Sequence, residues 1–222
     1  MICAVLFSGG KDSLFAAYLA KKNEIEIGCL ITIISKNPDS YMFHTPSISQ
    51  VKKQSKIMNL PLIVQNTKGE KEEELKDLEL AIQKAQIKYN IDCIVTGSVE
   101  SAYQASRVQK ICDRLNLDCF NPLWQKNQFE LLQDLIKNNF KINIIGVFAY
   151  PLNVSWLDRK IDQRFIKDAE ILFEKYKINP AGEGGEYETF VLNCPLFNRE
   201  LNILNKKISG KNNSWKMEIE VS

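Results

Sequence analysis

Ser8-Gly9-Gly10-Lys11-Asp12-Ser13 follows the apolar run Ile2-Cys3-Ala4-Val5-Leu6-Phe7 and precedes Leu14-Phe15-Ala16-Ala17-Tyr18-Leu19-Ala20. The first run reads as a buried strand and the last as a helix. The loop between them carries little side-chain bulk. Glycine admits positive φ and lets a ligand approach the backbone closely. The helix start beyond it offers unpaired N–H groups and the positive end of a dipole. With Ser8, Ser13 and Lys11 added, the stretch is predicted to cradle phosphate. It does not have the G-x-x-x-x-G-K-[ST] spacing of a Walker A loop. The bland alternative is a Gly-Gly turn between strand and helix.

The alternation continues outward from this unit. Residues 25–34 form a near-continuous apolar run, predicted as a second strand, followed by a helix at 49–58 and a third strand at 62–64. Thr67-Lys68-Gly69-Glu70 has capping-box spacing, and Leu75, Leu78, Ile82 and Ala85 give the helix after it an apolar face. A fourth strand is predicted at 91–96, a helix at 99–115 and a fifth strand at 118–120. This order implies a parallel sheet with helices on both faces. From Trp124 onward come a helix at 129–137, a strand at 142–148, a helix at 162–176, a Gly-rich loop at 179–185 and strands at 189–192 and 215–221. The predicted fold is α/β: a Rossmann-like five-stranded parallel sheet in a nucleotide-binding domain (1–123), then a smaller α/β domain (124–222).

The chain has 222 residues and a formal net charge of +2, so no basic excess points to nucleic acid as the main partner. No apolar run approaches the roughly 18 residues of a membrane helix. A cleaved signal peptide would remove the glycine loop and is rejected. Six cysteines occur with no C-x-x-C pair, and His44 is the only histidine, which argues against a zinc site. The expected compartment is the cytoplasm.

Ligands of a doubly wound sheet bind beyond the carboxyl ends of its strands, where the winding reverses. If the first strand lies beside the fourth, Ser8–Ser13 meets the loop Thr96-Gly97-Ser98 there, and Thr96 and Gly97 can approach a nucleotide from the opposite wall. Thr96-Gly97 reads either as a nucleotide contact or as an ordinary strand-ending turn. Tyr103 and Arg107 share one helix face, and the Arg107 fork would suit a phosphate or carboxylate if it were not merely solvated. Trp124 lines the cleft or closes the core. Tyr41 and His44 lie in the loop after the second strand, where an aromatic sandwich on a ligand and self-packing are both open. His44 titrates near neutrality and is a candidate base without a visible partner. Gly182-Glu183-Gly184-Gly185-Glu186-Tyr187-Glu188-Thr189 concentrates three glycines and three acids, which repel unless a cation sits among them. The alternative is a solvated acidic turn.

SGGKDS after a first strand resembles the PP-loop of the ATP pyrophosphatases, which cleave ATP between the α- and β-phosphates. DSYMFHTP (39–46), TGSVESAYQASRV (96–108), NPLW (121–124) and GEGGEYETFVLNCPLF (182–197) follow in order. Together these motifs resemble the diphthine–ammonia ligase family, with the GEGGEYET segment the most diagnostic of them. The resemblance implies a PP-loop (HUP-type) nucleotide domain. It also implies amidation of diphthine on translation elongation factor 2, with ATP and Mg2+ required and ammonium as nitrogen donor, because no glutaminase segment is recognisable. An adenylated carboxylate would form, with AMP and pyrophosphate released. Lys11, Asp12 and Ser13 are then the expected catalytic residues. Ser8, Gly9, Gly10, Thr32, His44, Thr96 and Gly97 join them around the nucleotide, and Asp12 is the candidate metal ligand. Substrate contacts are expected at Tyr41, Tyr103, Arg107, Trp124, Glu183, Gly184, Gly185, Glu186, Tyr187, Glu188 and Thr189. The acids and Tyr187 suit the trimethylammonium of diphthine. No membrane and no stable nucleic-acid partner are expected, and a homodimer is admitted. Two rivals remain at this point: a PP-loop enzyme acting on tRNA, and a nucleotide-binding sensor without catalysis.

Overall fold

A computed structural model of the chain describes residues 1–35, 37, 48–70 and 72–222, without the side chain of Ser49. The first half comprises β1 (Ile2–Leu6), α1 (Lys11–Lys22), β2 (Glu26–Ser35), α2 (Val51–Ile57), β3 (Leu62–Thr67), α3 (Glu73–Tyr89), β4 (Cys93–Val95), α4 (Ala102–Leu115) and β5 (Asp118–Phe120). Its strands form one parallel sheet in the order β3-β2-β1-β4-β5. The winding reverses at β1, which pairs with β2 on one side and β4 on the other. The loops after β1 and β4 therefore open into the same crevice.

The second half comprises α5 (Gln128–Lys137), β6 (Lys141–Val147), α6 (Gln163–Tyr176), β7 (Tyr187–Asn193), β8 (Ile203–Lys211) and β9 (Ser214–Val221). These strands form an antiparallel sheet in the order β7-β6-β9-β8. Helices α5 and α6 are amphipathic, each opened by a side-chain cap. Asn127 accepts from the N–H groups of Phe129 and Glu130, and Asp162 from that of Phe165.

One buried cluster runs from the first sheet into the second, through Val5, Phe15, Leu132, Ile144, Phe165 and Met217. Phe15 of α1 meets Phe140 edge-on at 5.5 Å, and the Tyr18 hydroxyl donates to Asn138 at 2.8 Å. A second cluster on the other face of the parallel sheet packs Ile31, Ile94 and Ala4 against Leu78 and Ile82 of α3 and Ile111 of α4. The sheet is thus covered on both faces, as its unbroken apolar strands demand. All six cysteines are thiols, and burial pushes Cys29 up to about 12. Among the described residues no helix is long and apolar enough to cross a membrane.

Three local expectations need correction. The Thr67 capping box does not form: Thr67 closes β3 opposite Ser35, its hydroxyl accepts from the Gly69 N–H at 3.2 Å, and α3 starts only at Glu73. Helix α4 starts at Ala102 rather than Val99, because Ser101 caps it by accepting from the Gln104 N–H at 3.3 Å. The sequence pattern offers no strand where β8 forms. Strand β8 joins β9 through the two-residue turn Asn212-Asn213, with Asn212 at φ 51, and nearly all its residues are exposed. A strand with no buried face shows no apolar alternation, but a two-residue Asn turn is a hairpin signal in its own right.

Candidate active site

The loop between β1 and α1 is held in shape by its own polar groups. The Ser8 and Ser13 hydroxyls lie 3.2 Å apart, the Ser13 hydroxyl donates to the Gly10 carbonyl at 3.1 Å, and the Gly10 N–H donates to the Ser8 oxygen at 3.3 Å. Gly9 sits at φ +80, and a Cβ there would lie 2.4 Å from Gln54 Oε1, so conformation and space both require glycine. Gly10 is the N-cap of α1 and offers no side-chain cap. Lys11 is 3% exposed; its ammonium donates to Asp12 Oδ2 at 2.8 Å and lies 5.6 Å from the Tyr187 ring centroid. Asp12 Oδ1 is buried without a hydrogen-bond partner.

The second sheet reaches into this loop. The Lys11 N–H donates to the Thr189 hydroxyl at 3.1 Å, and the Val191 N–H to the Gly9 carbonyl at 3.2 Å. Gln54 of α2, fully buried, donates through Nε2 to the carbonyls of both Gly9 and Val191, at 3.0 and 2.8 Å. Opposite, Glu183 Oε1 accepts from the N–H groups of Val99 and Glu100 at 3.1 and 3.0 Å, tying the Gly-rich loop to the turn after β4. Burial, helped by the negative charge of Asp12, pushes the Glu183 carboxyl up.

These contacts enclose a cavity of about 750 Å³. That is ample for a nucleotide and part of a second substrate. Ser8, Gly10, Lys11, Asp12 and Ser13 line one side, Thr96, Gly97 and Ser98 another, and Gly182–Gly185 with Tyr187, Glu188 and Thr189 a third. Phe148, just past β6, and Ser214 and Lys216 of β9 complete it. Gly97 is forced by contact: a Cβ there would stand 2.6 Å from the Asp12 carbonyl carbon and 2.8 Å from the Ser13 nitrogen. Burial pushes the Glu188 carboxyl up to about 8, with Lys216 pulling the other way.

Several expected site residues lie elsewhere. Thr32 is buried beneath the loop, where its hydroxyl donates to the Phe7 carbonyl at 2.7 Å. It is a brace for the end of β1 and does not line the cavity. Tyr103 and Arg107 do share a helix face, with the guanidinium 3.4 Å over the ring. Arg107 turns to Glu72 at 2.6 Å, however, and the cavity is lined on α4 by Gln104 and Val108 instead. Trp124 is 39% exposed in the turn after β5, outside the cavity. Glu186 Oε1 accepts from the Asn179 N–H at 3.0 Å, and the Tyr187 hydroxyl donates to the Pro180 carbonyl at 2.7 Å, so both hold the Gly-rich loop closed. Tyr41 and His44 lie outside the described residues. Sequence reasoning missed Gln54, Phe148, Ser214 and Lys216. Glutamine in a polar helix and lysine in an exposed hairpin carry no local mark of a site.

Residues 1–119 match the family described as diphthamide synthase N-terminal domain, and residues 127–221 the diphthamide synthase C-terminal domain. The chain belongs to the diphthamide synthase family. Among its relatives, the diphthine–ammonia ligase of Mus musculus is 33% identical over 222 residues, covering 90% of this chain and 82% of that protein. The diphthine–ammonia ligase of Bos taurus is 34% identical over 220 residues, with the same coverage of 90% and 82%. Among solved structures, a predicted subunit of tRNA methyltransferase from Methanocaldococcus jannaschii superposes at a TM-score of 0.46 with 21% identity, covering 90% of this chain and 99% of that one.

Within this diphthamide synthase fold, the groups that can meet a nucleotide are the Ser8 and Ser13 hydroxyls, the N-terminal turn of α1 and the Lys11 ammonium. No cluster of three or more His, Cys, Asp or Glu side chains exists among the described residues to cage a metal alone. The unpartnered Asp12 Oδ1 does fit one carboxylate ligand of a magnesium ion whose other ligands are phosphate and water.

Proposed function

We propose that this chain is an ATP-dependent ligase that amidates diphthine on a protein substrate, with ammonium as nitrogen donor. The observation that carries this reading is the match, over 90% of the chain, to relatives named diphthine–ammonia ligase. The cavity supplies what such chemistry needs. A carboxylate reacts poorly with ammonia because oxide is a poor leaving group. Transfer of AMP to the carboxylate, with loss of pyrophosphate, provides a good one. Negative charge then builds on the departing pyrophosphate, next to the Lys11 ammonium and the positive end of α1. Magnesium bound with the nucleotide, with Asp12 among its ligands, would supply further charge stabilisation there.

The rest of the cavity is assigned in the same reading. Gly97 lets the turn after β4 close on α1, so that Thr96 and Ser98 form the opposite wall of the nucleotide pocket. Glu183 is the acid of the Gly-rich loop assigned to face the trimethylammonium of diphthine, because it lines the cavity while Glu186 does not and the Tyr187 hydroxyl is held by the Pro180 carbonyl. Residues 1–123 carry the nucleotide chemistry and residues 124–222 the substrate-facing wall. The protein substrate is translation elongation factor 2 in the cytoplasm, a step that rests on the motif resemblance.

One reaction tests this: the chain with ATP, magnesium, ammonium and elongation factor 2 bearing diphthine, read by intact-protein mass and nucleotide products. AMP, pyrophosphate and ammonium-dependent conversion of carboxylate to amide are expected. AMP release with the factor unmodified, or no AMP at all, would overturn the reading.

A further inference from the structure

Glu188, Gly146 and Lys216 lie in register across β7, β6 and β9: Gly146 pairs with Glu188 on one side and with Lys216 on the other. Strands are spaced about 4.8 Å apart, so the two charged residues flank a gap of roughly 10 Å between their Cα atoms. Gly146 raises no side chain between them. Both Glu188 and Lys216 line the cavity, together with Phe148, the residue that follows the end of β6. The Lys216 ammonium lies 5.6 Å from the Phe148 ring centroid, which anchors it on the same wall. The other charged groups on this cavity are Lys11 and Asp12 on α1 and Glu183 in the Gly-rich loop.

Resting on the ligase reading, we propose that Glu188 is the ammonium subsite, binding the cation and accepting the proton that must leave before nitrogen can attack. Ammonium has no lone pair, so it cannot attack the acyl-adenylate as it arrives. One N–H bond breaks with its electron pair left on nitrogen, and that proton passes to a Glu188 carboxylate oxygen. The lone pair then forms the C–N bond, and the acyl C–O bond to AMP breaks with its electrons going to the phosphate. The nitrogen sheds its second proton to solvent, leaving the neutral amide. An ordinary carboxylate is too weak a base for the first step, whereas burial raises Glu188 to about 8. Lys216 keeps a usable fraction of it charged at neutral pH. A quaternary trimethylammonium has no proton to donate to this carboxylate, whereas ammonium has four.

The test compares ammonium with hydroxylamine, an amine already neutral at pH 7. Wild type, Glu188→Gln and Lys216→Met are each given ATP, magnesium and diphthine-bearing elongation factor 2. The ratio of amide to hydroxamate product is then measured across pH. Glu188→Gln is expected to lower that ratio by about 10²- to 10⁴-fold. Lys216→Met removes a charge that favours the carboxylate, so the alkaline rise of the ammonium reaction is expected to move to higher pH, with no such move for hydroxylamine. An unchanged ratio in Glu188→Gln, or a Lys216→Met profile that stays put or moves down, would overturn the subsite. Absence of diphthine-dependent ATP–pyrophosphate exchange in the wild type would instead overturn the ligase reading itself.

Discussion

The backbone N–H of Lys11 donates to the Thr189 hydroxyl at 3.1 Å, across 178 positions of sequence. The first turn of a helix normally leaves its N–H groups to solvent, a cap or a ligand. Here one of them is taken by the second sheet. The orientation of α1 at the candidate phosphate site therefore depends on β7.

Thr189→Val keeps the side-chain shape and removes the acceptor. It is expected to cost about 1–3 kcal/mol, because a buried donor is left unsatisfied, and to weaken ATP binding. Thr189→Ser is expected to recover most of both. Urea unfolding and calorimetric titration with ATP measure the two effects, and a valine variant as stable as wild type would refute the first.

Gly97 and Gly185 separate crowding from backbone strain. An added Cβ at Gly97 runs into the backbone of Asp12 and Ser13, which cannot rotate away. At Gly185 it meets nothing within 4 Å, but φ is +81. Gly185→Ala should therefore cost only about 1–2 kcal/mol of left-handed strain. Gly97→Ala should cost a similar 1–3 kcal/mol of overpacking and, unlike Gly185→Ala, displace the loop and sharply reduce AMP formation. Thermal unfolding and an AMP release assay on both variants decide between them.

Gln54 bonds two carbonyls through one amide nitrogen. Gln54→Leu loses both bonds and is expected to cost about 1–3 kcal/mol. Gln54→Glu is expected to cost more, since a buried carboxylate would face those carbonyls with no proton to donate. Denaturant midpoints of the two variants give the ranking, and the reverse order would exclude this role.

The raised Glu188 carboxyl has a defined sign in stability. Between its ordinary 4.5 and about 8 the folded state holds a proton that the unfolded state has lost. Its contribution is therefore fully present below pH 4.5 and lost as pH rises through about 8. Glu188→Gln removes this slope, so its stability should decline less than that of wild type across that window. Unfolding free energies measured at several pH values test it, and parallel curves would contradict the assignment.

The elements that could be read in advance share a local cause. β1, its loop and α1 follow from neighbouring residues: a buried apolar run, glycines where Cβ is excluded, and an apolar helix face. Tyr103 and Arg107 were correctly placed on one face, since helical spacing is local. Their partner was not foreseen, because Glu72 comes from the residue just before α3, a distant part of the chain. Thr67 shows the opposite case, where strand pairing with Ser35 overrode a capping pattern. The sequence leaves Trp124 open between cleft and core, and it lies in neither, for its side chain is partly in solvent.

By itself, the sequence determined the alternation of strands and helices, the parallel sheet and the glycine loop at its first crossover, because periodicity and allowed φ act over a few residues. It also carried the motifs of the family. Only the tertiary structure decided which distant groups meet: Thr189 on the Lys11 amide, Gln54 beneath Gly9, and Glu188 beside Lys216 across Gly146. Those meetings depend on strand order and register in the second sheet. Register is set by which faces bury together, a property of the whole packed chain that no short stretch contains.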